Sequence, residues 1–130
     1  NKLHKMAEDL GKRVNFTGYV QHDDLPYLYN LADIAILPSI WDEPAGLTNL
    51  EAMACGTPII TTNAGGIPEY IGEGTAYKRD DNLVNNVVKE VNRLLEDSQY
   101  YQNKSYSGRQ LVEQKFNKNI YIDNLVKCLN

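Results

Sequence analysis

Short apolar runs and stripes of helical period take turns along this chain. Leu3, Met6, Ala7 and Leu10 recur at three- and four-residue spacing, predicting the end of a helix with Gly11 as its C-cap. Val14-Asn15-Phe16-Thr17 predicts a short strand that stops at Gly18. The loop from Gly18 to Asp24 leads into a helix with Asp23 as candidate cap and Pro26 in its first turn. Leu25, Leu28, Tyr29 and Ala32 form its expected buried stripe. Asp33-Ile34-Ala35-Ile36-Leu37 is mostly apolar, the pattern of a parallel strand covered on both faces, and Pro38 ends it. After a loop from Ser39 to Pro44, a helix begins near Gly46, turns Leu47, Leu50, Met53 and Ala54 inward and stops at Gly56. Pro58-Ile59-Ile60-Thr61 predicts a second buried strand. A short helix is expected from about Pro68, and Gly74-Thr75-Ala76-Tyr77 predicts one more small strand.

Beyond that point the period becomes helical throughout. Leu83, Val84, Val87, Val88, Val91, Leu94 and Leu95 mark one helix, with Asp80 or Asp81 as cap. A second runs from about Ser98 to Phe116, and a third carries Tyr121, Ile122, Leu125, Val126 and Leu129. Strands alternating with helices imply an α/β fold with a parallel sheet of three or four strands. Sheets of this class usually have more strands, so the fold is expected to be incomplete on its N-terminal side, and the start at Asn1 is read as a cut.

Composition narrows the function classes. The 130 residues suit one domain, and 42% apolar with 23% charged residues excludes a wholly disordered or collagenous chain. A formal charge of −4 disfavours a duplex-coating role without excluding a local phosphate site. Cys55 and Cys128 allow at most one disulfide, and Cys55, within an apolar run, reads as a structural thiol in a reducing compartment. No apolar stretch approaches the roughly 18 residues of a membrane span. Neither a metal-spaced cysteine–histidine cluster nor a Walker loop, GxGxxG fingerprint or Ser-His-Asp arrangement stands out.

In an open parallel sheet the ligand crevice lies beyond the carboxyl ends of the strands. Three loops should meet there: Gly18 to Asp24, Pro38 to Gly46, and Thr62 to Pro68. The amide groups at the start of the Gly46 helix form an anion site, to which Thr48 and Asn49 could add side-chain donors. Glu51, about one turn into that helix, either faces solvent or holds a polar partner, because burying it unpaired costs several kcal/mol. It is placed to reach a sugar hydroxyl just past the phosphates, and Glu43 could hold the other end of the same ligand. Each also reads as an ordinary surface glutamate, Gly65-Gly66 as a simple turn and His22 as a polar loop residue. His4 is expected to face solvent. Trp41 reads equally as a core aromatic or as a platform beside a ligand.

The run Pro38-Ser39-Ile40-Trp41-Asp42-Glu43-Pro44-Ala45-Gly46-Leu47-Thr48-Asn49-Leu50-Glu51-Ala52-Met53-Ala54 continues through Cys55-Gly56-Thr57-Pro58-Ile59-Ile60 to Asn63-Ala64-Gly65-Gly66-Ile67-Pro68-Glu69. It resembles the donor-binding C-terminal domain of the GT-B retaining glycosyltransferases, specifically the GT4 family (glycosyl transferases group 1). Phe16-Thr17-Gly18-Tyr19-Val20 and Asp33-Ile34-Ala35-Ile36-Leu37-Pro38-Ser39 resemble the family's neighbouring strands. The likeness is dense over residues 14–77 and looser along the helical tail. It implies a Rossmann-like three-layer sandwich with a parallel sheet, forming one incomplete donor-binding domain over residues 1–130. Its core would span 14–95 and its C-terminal helices 98–129, with the N-terminal acceptor domain absent.

The resemblance also implies roles. Glu43 would contact the transferred sugar and act as the catalytic residue, and Glu51 would hydrogen-bond the ribose. Gly46, Leu47 and Thr48 would meet the diphosphate or sugar, Tyr19 and Val20 would lie by the base, and Gly65 and Gly66 would shape the rear of the site. The substrate would be a UDP-, GDP- or ADP-linked sugar, with no metal or other cofactor needed. The acceptor would be a carbohydrate or a lipid-linked glycan in bacterial surface polysaccharide synthesis, in the cytoplasm or at the inner face of the membrane. Ala45 departs from the family, which usually has Phe there, so the wall beside the donor sugar is opened or filled differently, with Trp41 a candidate to compensate. The arginine and lysine expected to grip the diphosphate have no counterpart in this chain. The chain alone is therefore expected to transfer little or no sugar and to self-associate through an uncovered apolar face. Two other readings stay open: a non-catalytic nucleotide-binding or scaffold module, and a GT-B epimerase or phosphorylase relative.

Overall fold

The computed structural model describes residues 2–71 and 76–129. The first helix, α1 (Lys2–Ala7), passes into a 3-10 segment, Glu8–Arg13. Gly11, at φ 53 and ψ −132, kinks this segment instead of capping an α-helix. The strand expected over Val14–Thr17 does not form. Val14 is extended (φ −119, ψ 125), but its segment pairs with no neighbour among the described residues, and a strand requires one. A 3-10 turn, His22–Asp24, then leads into α2 (Leu25–Leu31), which carries Pro26 at its start. The residue before this helix is Asp24, and its side chain makes no capping bond; the expected Asp23 cap lies inside the turn.

The sheet is wholly parallel, in the order β1 (Ala35–Leu37), β2 (Ile59–Thr62), β3 (Ala76–Tyr77). Ile36 stands opposite Ile60, and Thr61 opposite Ala76. Of the third expected strand, Gly74 and Thr75 lie outside the described residues. All four residues of β2 are buried, as its apolar run predicts. On β1, Ala35 is buried but Ile36 is 46% exposed, so this edge strand is not covered on both faces.

Between β1 and β2 runs α3 (Leu47–Ala54), which packs on both strands and contributes Ala52 and Met53 to the core with Ile59, Ala64 and Ile67. The inward stripe differs from the expected one. Asn49, Ala52 and Met53 are buried, whereas Leu47 is 66% exposed and Ala54 is exposed. A 3-10 turn at Ile67–Glu69 stands in place of the expected short helix. Then come α4 (Leu83–Glu96), α5 (Ser98–Lys115) and α6 (Lys118–Leu129). Asn82 precedes α4, and its backbone N–H donates to the Asp80 carboxylate. Of the apolar positions on α4 only Leu94 is buried, while Val84, Val88 and Leu95 stay exposed; the other buried residue is Glu90. Glu90 accepts a 2.6 Å hydrogen bond from Tyr100, which joins α4 to α5. No helix among the described residues is long and apolar enough to cross a membrane.

Candidate functional site

The loop after β1 carries Glu43 and is fastened from three directions. Thr62, at the end of β2, donates its hydroxyl to the Ser39 carbonyl at 2.6 Å. The Gly66 N–H donates to the Glu43 carbonyl at 2.8 Å. Arg79, just past β3, donates to the Ile40 carbonyl and to the Asp42 carboxylate, both at 2.8 Å. The loop also lies directly on Gly65 and Gly66. A Cβ at Gly65 would strike the backbone of Glu43 and Asp42, and one at Gly66 would strike the Pro44 carbonyl. The glycine pair is therefore more than a turn: only a bare backbone lets the loop settle this closely. Gly65 also holds φ 54, a conformation that side chains disfavour.

Held in this way, Glu43 is half-buried, and one carboxylate oxygen is committed within the loop. Its Oε1 accepts from the Ser39 hydroxyl at 2.7 Å and from the Trp41 indole N–H at 3.3 Å. Oε2 has no partner among the described residues. Trp41 is 70% exposed, which overturns the core reading of this residue.

Glu43 lines a recess of about 360 Å³ together with the start of α3, from Gly46 to Thr48. Gly46 is buried in the left-handed region, at φ 60 and ψ 54, and makes no side-chain cap. Its carbonyl accepts from the Asn49 N–H at 2.9 Å, while the N–H groups of Leu47 and Thr48 have no partner among the described residues. Thr48 is exposed, so its hydroxyl is available to the recess. Asn49 is committed elsewhere: it is buried, and its Nδ2 donates to the Tyr70 hydroxyl at 3.3 Å. Tyr70 in turn donates to the Gly46 carbonyl at 3.3 Å, while Asn49 Oδ1 is buried without a partner among the described residues. Burial raises the Tyr70 phenol above its ordinary value; the Asn49 bond opposes this and the Glu43 charge adds to it. Ala45 lines this recess and also a larger one of about 600 Å³ whose far wall is Phe116, Lys118 and Tyr121.

Glu51 faces a different recess, of about 180 Å³, with His22, Tyr29 and Cys55. Its nearest hydrogen-bond partner is the Tyr29 hydroxyl at a long 3.5 Å, which leaves the carboxylate largely uncommitted. Burial, then the Glu51 charge, pushes the Tyr29 phenol up. Tyr19 is 85% exposed, and neither it nor Val20 lines any of these three recesses. Both cysteines are free thiols. His4 is exposed and stacks on Phe16 at 3.9 Å. Among the described residues no group of three or more His, Cys, Asp and Glu is placed to hold a metal ion.

Sequence reasoning misses Ser39, Tyr29 and Arg79 as parts of this arrangement. Ser39, four residues before Glu43, is within reach of local reasoning; Tyr29 and Arg79 meet the site only through tertiary contact.

Known proteins bear on this geometry. Spore coat protein SA of Bacillus subtilis is 33% identical over 126 residues, covering 95% of this chain and 33% of that protein. The O-antigen chain mannosyltransferase B of Escherichia coli is 36% identical over 87 residues, covering 67% of this chain and 22% of that protein. The crystal structure of Anabaena HepE with UDP and glucose superposes with a TM-score of 0.86 at 26% identity, over 98% of this chain and 35% of that one. The chain thus spans a third or less of the curated relatives it matches. The family model "Glycosyl transferases group 1" matches residues 1–111, so the glycine-backed Glu43 loop and the open start of α3 belong to a member of the glycosyl transferases group 1 family.

Proposed function

We propose that this chain is the donor-binding part of a retaining glycosyltransferase that takes a sugar from a nucleotide-diphosphate sugar. One observation carries the reading: Leu47 and Thr48, whose N–H groups have no partner among the described residues, line the same recess as Glu43. Amide donors at a helix start favour a diphosphate, and a carboxylate with a free oxygen beside them suits sugar hydroxyls. Glu51, largely uncommitted in the neighbouring recess, would accept from the ribose. Tyr19 and Val20 would meet the base through movement of their loop, with Gly65 and Gly66 supporting the site from behind. HepE, which binds UDP and UDP-glucose, supports a nucleotide-sugar donor.

In the reaction, the bond from the anomeric carbon to the diphosphate breaks and the acceptor oxygen bonds to that carbon on the same face. The acceptor's proton passes to the departing phosphate oxygen. The α3 amides stabilise the charge that develops on the leaving group, and Glu43 orients the sugar and supports positive charge at its anomeric carbon. The acceptor, a carbohydrate or lipid-linked glycan of bacterial surface polysaccharide, would be held outside these residues, in the cytoplasm. The isolated chain therefore binds donor without transferring it. The test is a ¹⁵N-NMR titration with UDP-, GDP- and ADP-glucose. Shifts are expected at the amides of Leu47, Thr48 and Glu51, and none at millimolar ligand would refute the reading.

A further inference from the structure

We propose that Arg79 is a positioning residue for the Glu43 carboxylate, and that it sets how strongly the site prefers a nucleotide sugar to the bare nucleotide. The inference rests on the donor-site reading above. Side-chain packing does little to hold the segment Ile40–Asp42: Ile40 is 85% exposed and Trp41 70%. Beside the contact of the Asp42 backbone with Gly65, the hydrogen bonds that tie it to the rest of the domain among the described residues are the Arg79 fork, with Nη1 on the Ile40 carbonyl and Nη2 on Asp42 Oδ1, each at 2.8 Å. The two anchors lie on either side of Trp41, whose indole N–H donates to Glu43 Oε1. Arg79 thus fixes the backbone that aims the indole, and the indole with Ser39 fixes which carboxylate oxygen remains free.

The two arms carry unequal weight. Asp42 is 74% exposed, so its ion pair is screened and weak. The bond to the Ile40 carbonyl, a charge on a dipole, is less sensitive to salt than the ion pair and restrains the main chain itself. A planar guanidinium spans both acceptors at once, whereas an ammonium on a flexible stem does so poorly. The expected order of restraint is therefore arginine, then lysine, then alanine.

Trp41 is the single tryptophan of the chain, so its emission and anisotropy report on this loop without ligand. The test uses the 130-residue chain, Arg79→Ala and Arg79→Lys, with UDP and UDP-glucose titrated in parallel. Arg79→Ala is expected to lower Trp41 anisotropy and weaken UDP-glucose binding about tenfold, with UDP affinity held to within about twofold. Arg79→Lys should recover part of both. An unchanged anisotropy and sugar preference overturns the proposal, as does an equal loss of UDP and UDP-glucose, which marks a purely structural role. If the native chain binds neither ligand, the donor-site reading fails and the anisotropy alone decides whether Arg79 holds the loop. Should Arg79→Ala not fold, Arg79→Gln, which removes the charge and the planar fork but keeps a polar side chain, is expected to move both readouts in the same direction, and no movement overturns the proposal.

Discussion

Alanine at Gly66 places a methyl group against the Pro44 carbonyl oxygen and 3.3 Å from the carbonyl carbon. Gly66 sits at φ −80 and ψ −3, which alanine adopts freely, so the whole effect is steric. Either the Glu43 loop retreats by about an ångström, or the 2.8 Å bond from Gly66 N–H to the Glu43 carbonyl is lost. Overpacking of this kind costs about 1–3 kcal/mol, or a fall in Tm of roughly 4–12 °C for a domain of this size. Gly18→Ala separates the other contribution: Gly18 holds φ 69 with nothing within 4 Å of the added Cβ, so it reports backbone strain alone, about 1–2 kcal/mol. Gly65→Ala combines both, with φ 54 and a Cβ within 2.9 Å of the Asp42 carbonyl carbon, and should be the most destabilising of the three. Urea unfolding followed by circular dichroism gives the stabilities, and Trp41 emission shows whether the loop has moved. Gly66→Ala and Gly65→Ala should shift the emission, and Gly18→Ala should not. If Gly66→Ala keeps native stability to within about 0.5 kcal/mol and leaves Trp41 unmoved, the glycine pair is not the seat of the Glu43 loop.

Three further outcomes are expected. Glu51→Ala should weaken nucleotide binding about tenfold or more through loss of a charged hydrogen bond, whereas Glu43→Ala should spare the nucleotide and remove the gain from the sugar; equal losses in calorimetry would contradict the two-recess arrangement. Burial, with the Glu90 carboxylate beside them, pushes Tyr77 and Tyr100 up to about 12 from an ordinary 10.0. The folded chain therefore holds these protons more tightly than the unfolded one. Their contribution is complete below pH 10 and is lost as pH rises through about 12. Tyr100→Phe should flatten the decline of the urea midpoint as pH rises from about 10 towards 12, and an unchanged slope would refute the assignment. Thr62→Val keeps the shape of a fully buried side chain but leaves the Ser39 carbonyl without its donor, at a cost of about 1–3 kcal/mol by chemical denaturation; a neutral result would show that water or another group takes over.

Where local chemistry decides, the elements are legible in the chain. Gly56 and Pro58 bracket the turn between α3 and β2, and the apolar run that follows them forms the buried strand it predicts. Gly46 before a helical period marks the open helix start, and the spacing of Glu43 and Glu51 around it locates the candidate site. Hydrophobicity alone misplaces the inward face of α3. Asn49 is buried through its bond to Tyr70, a residue whose approach no local pattern records, while Leu47 is left on the recess wall. Val14–Thr17 has strand composition but no partner among the described residues, and α4 has an apolar stripe that the described neighbours only partly cover.

Periodicity, glycine and proline placement and the Glu43–Glu51 spacing are properties of residues close along the chain, so the sequence by itself determines the family likeness and the order of elements from α2 to β2 and from α4 to α6. The grip of Arg79, the contact of Gly65 and Gly66 with the loop and the separation of the two glutamates into different recesses join residues distant along the chain. They follow from the parallel crossover, which brings the ends of β1, β2 and β3 side by side, and pairing across that gap is fixed only once the sheet has formed.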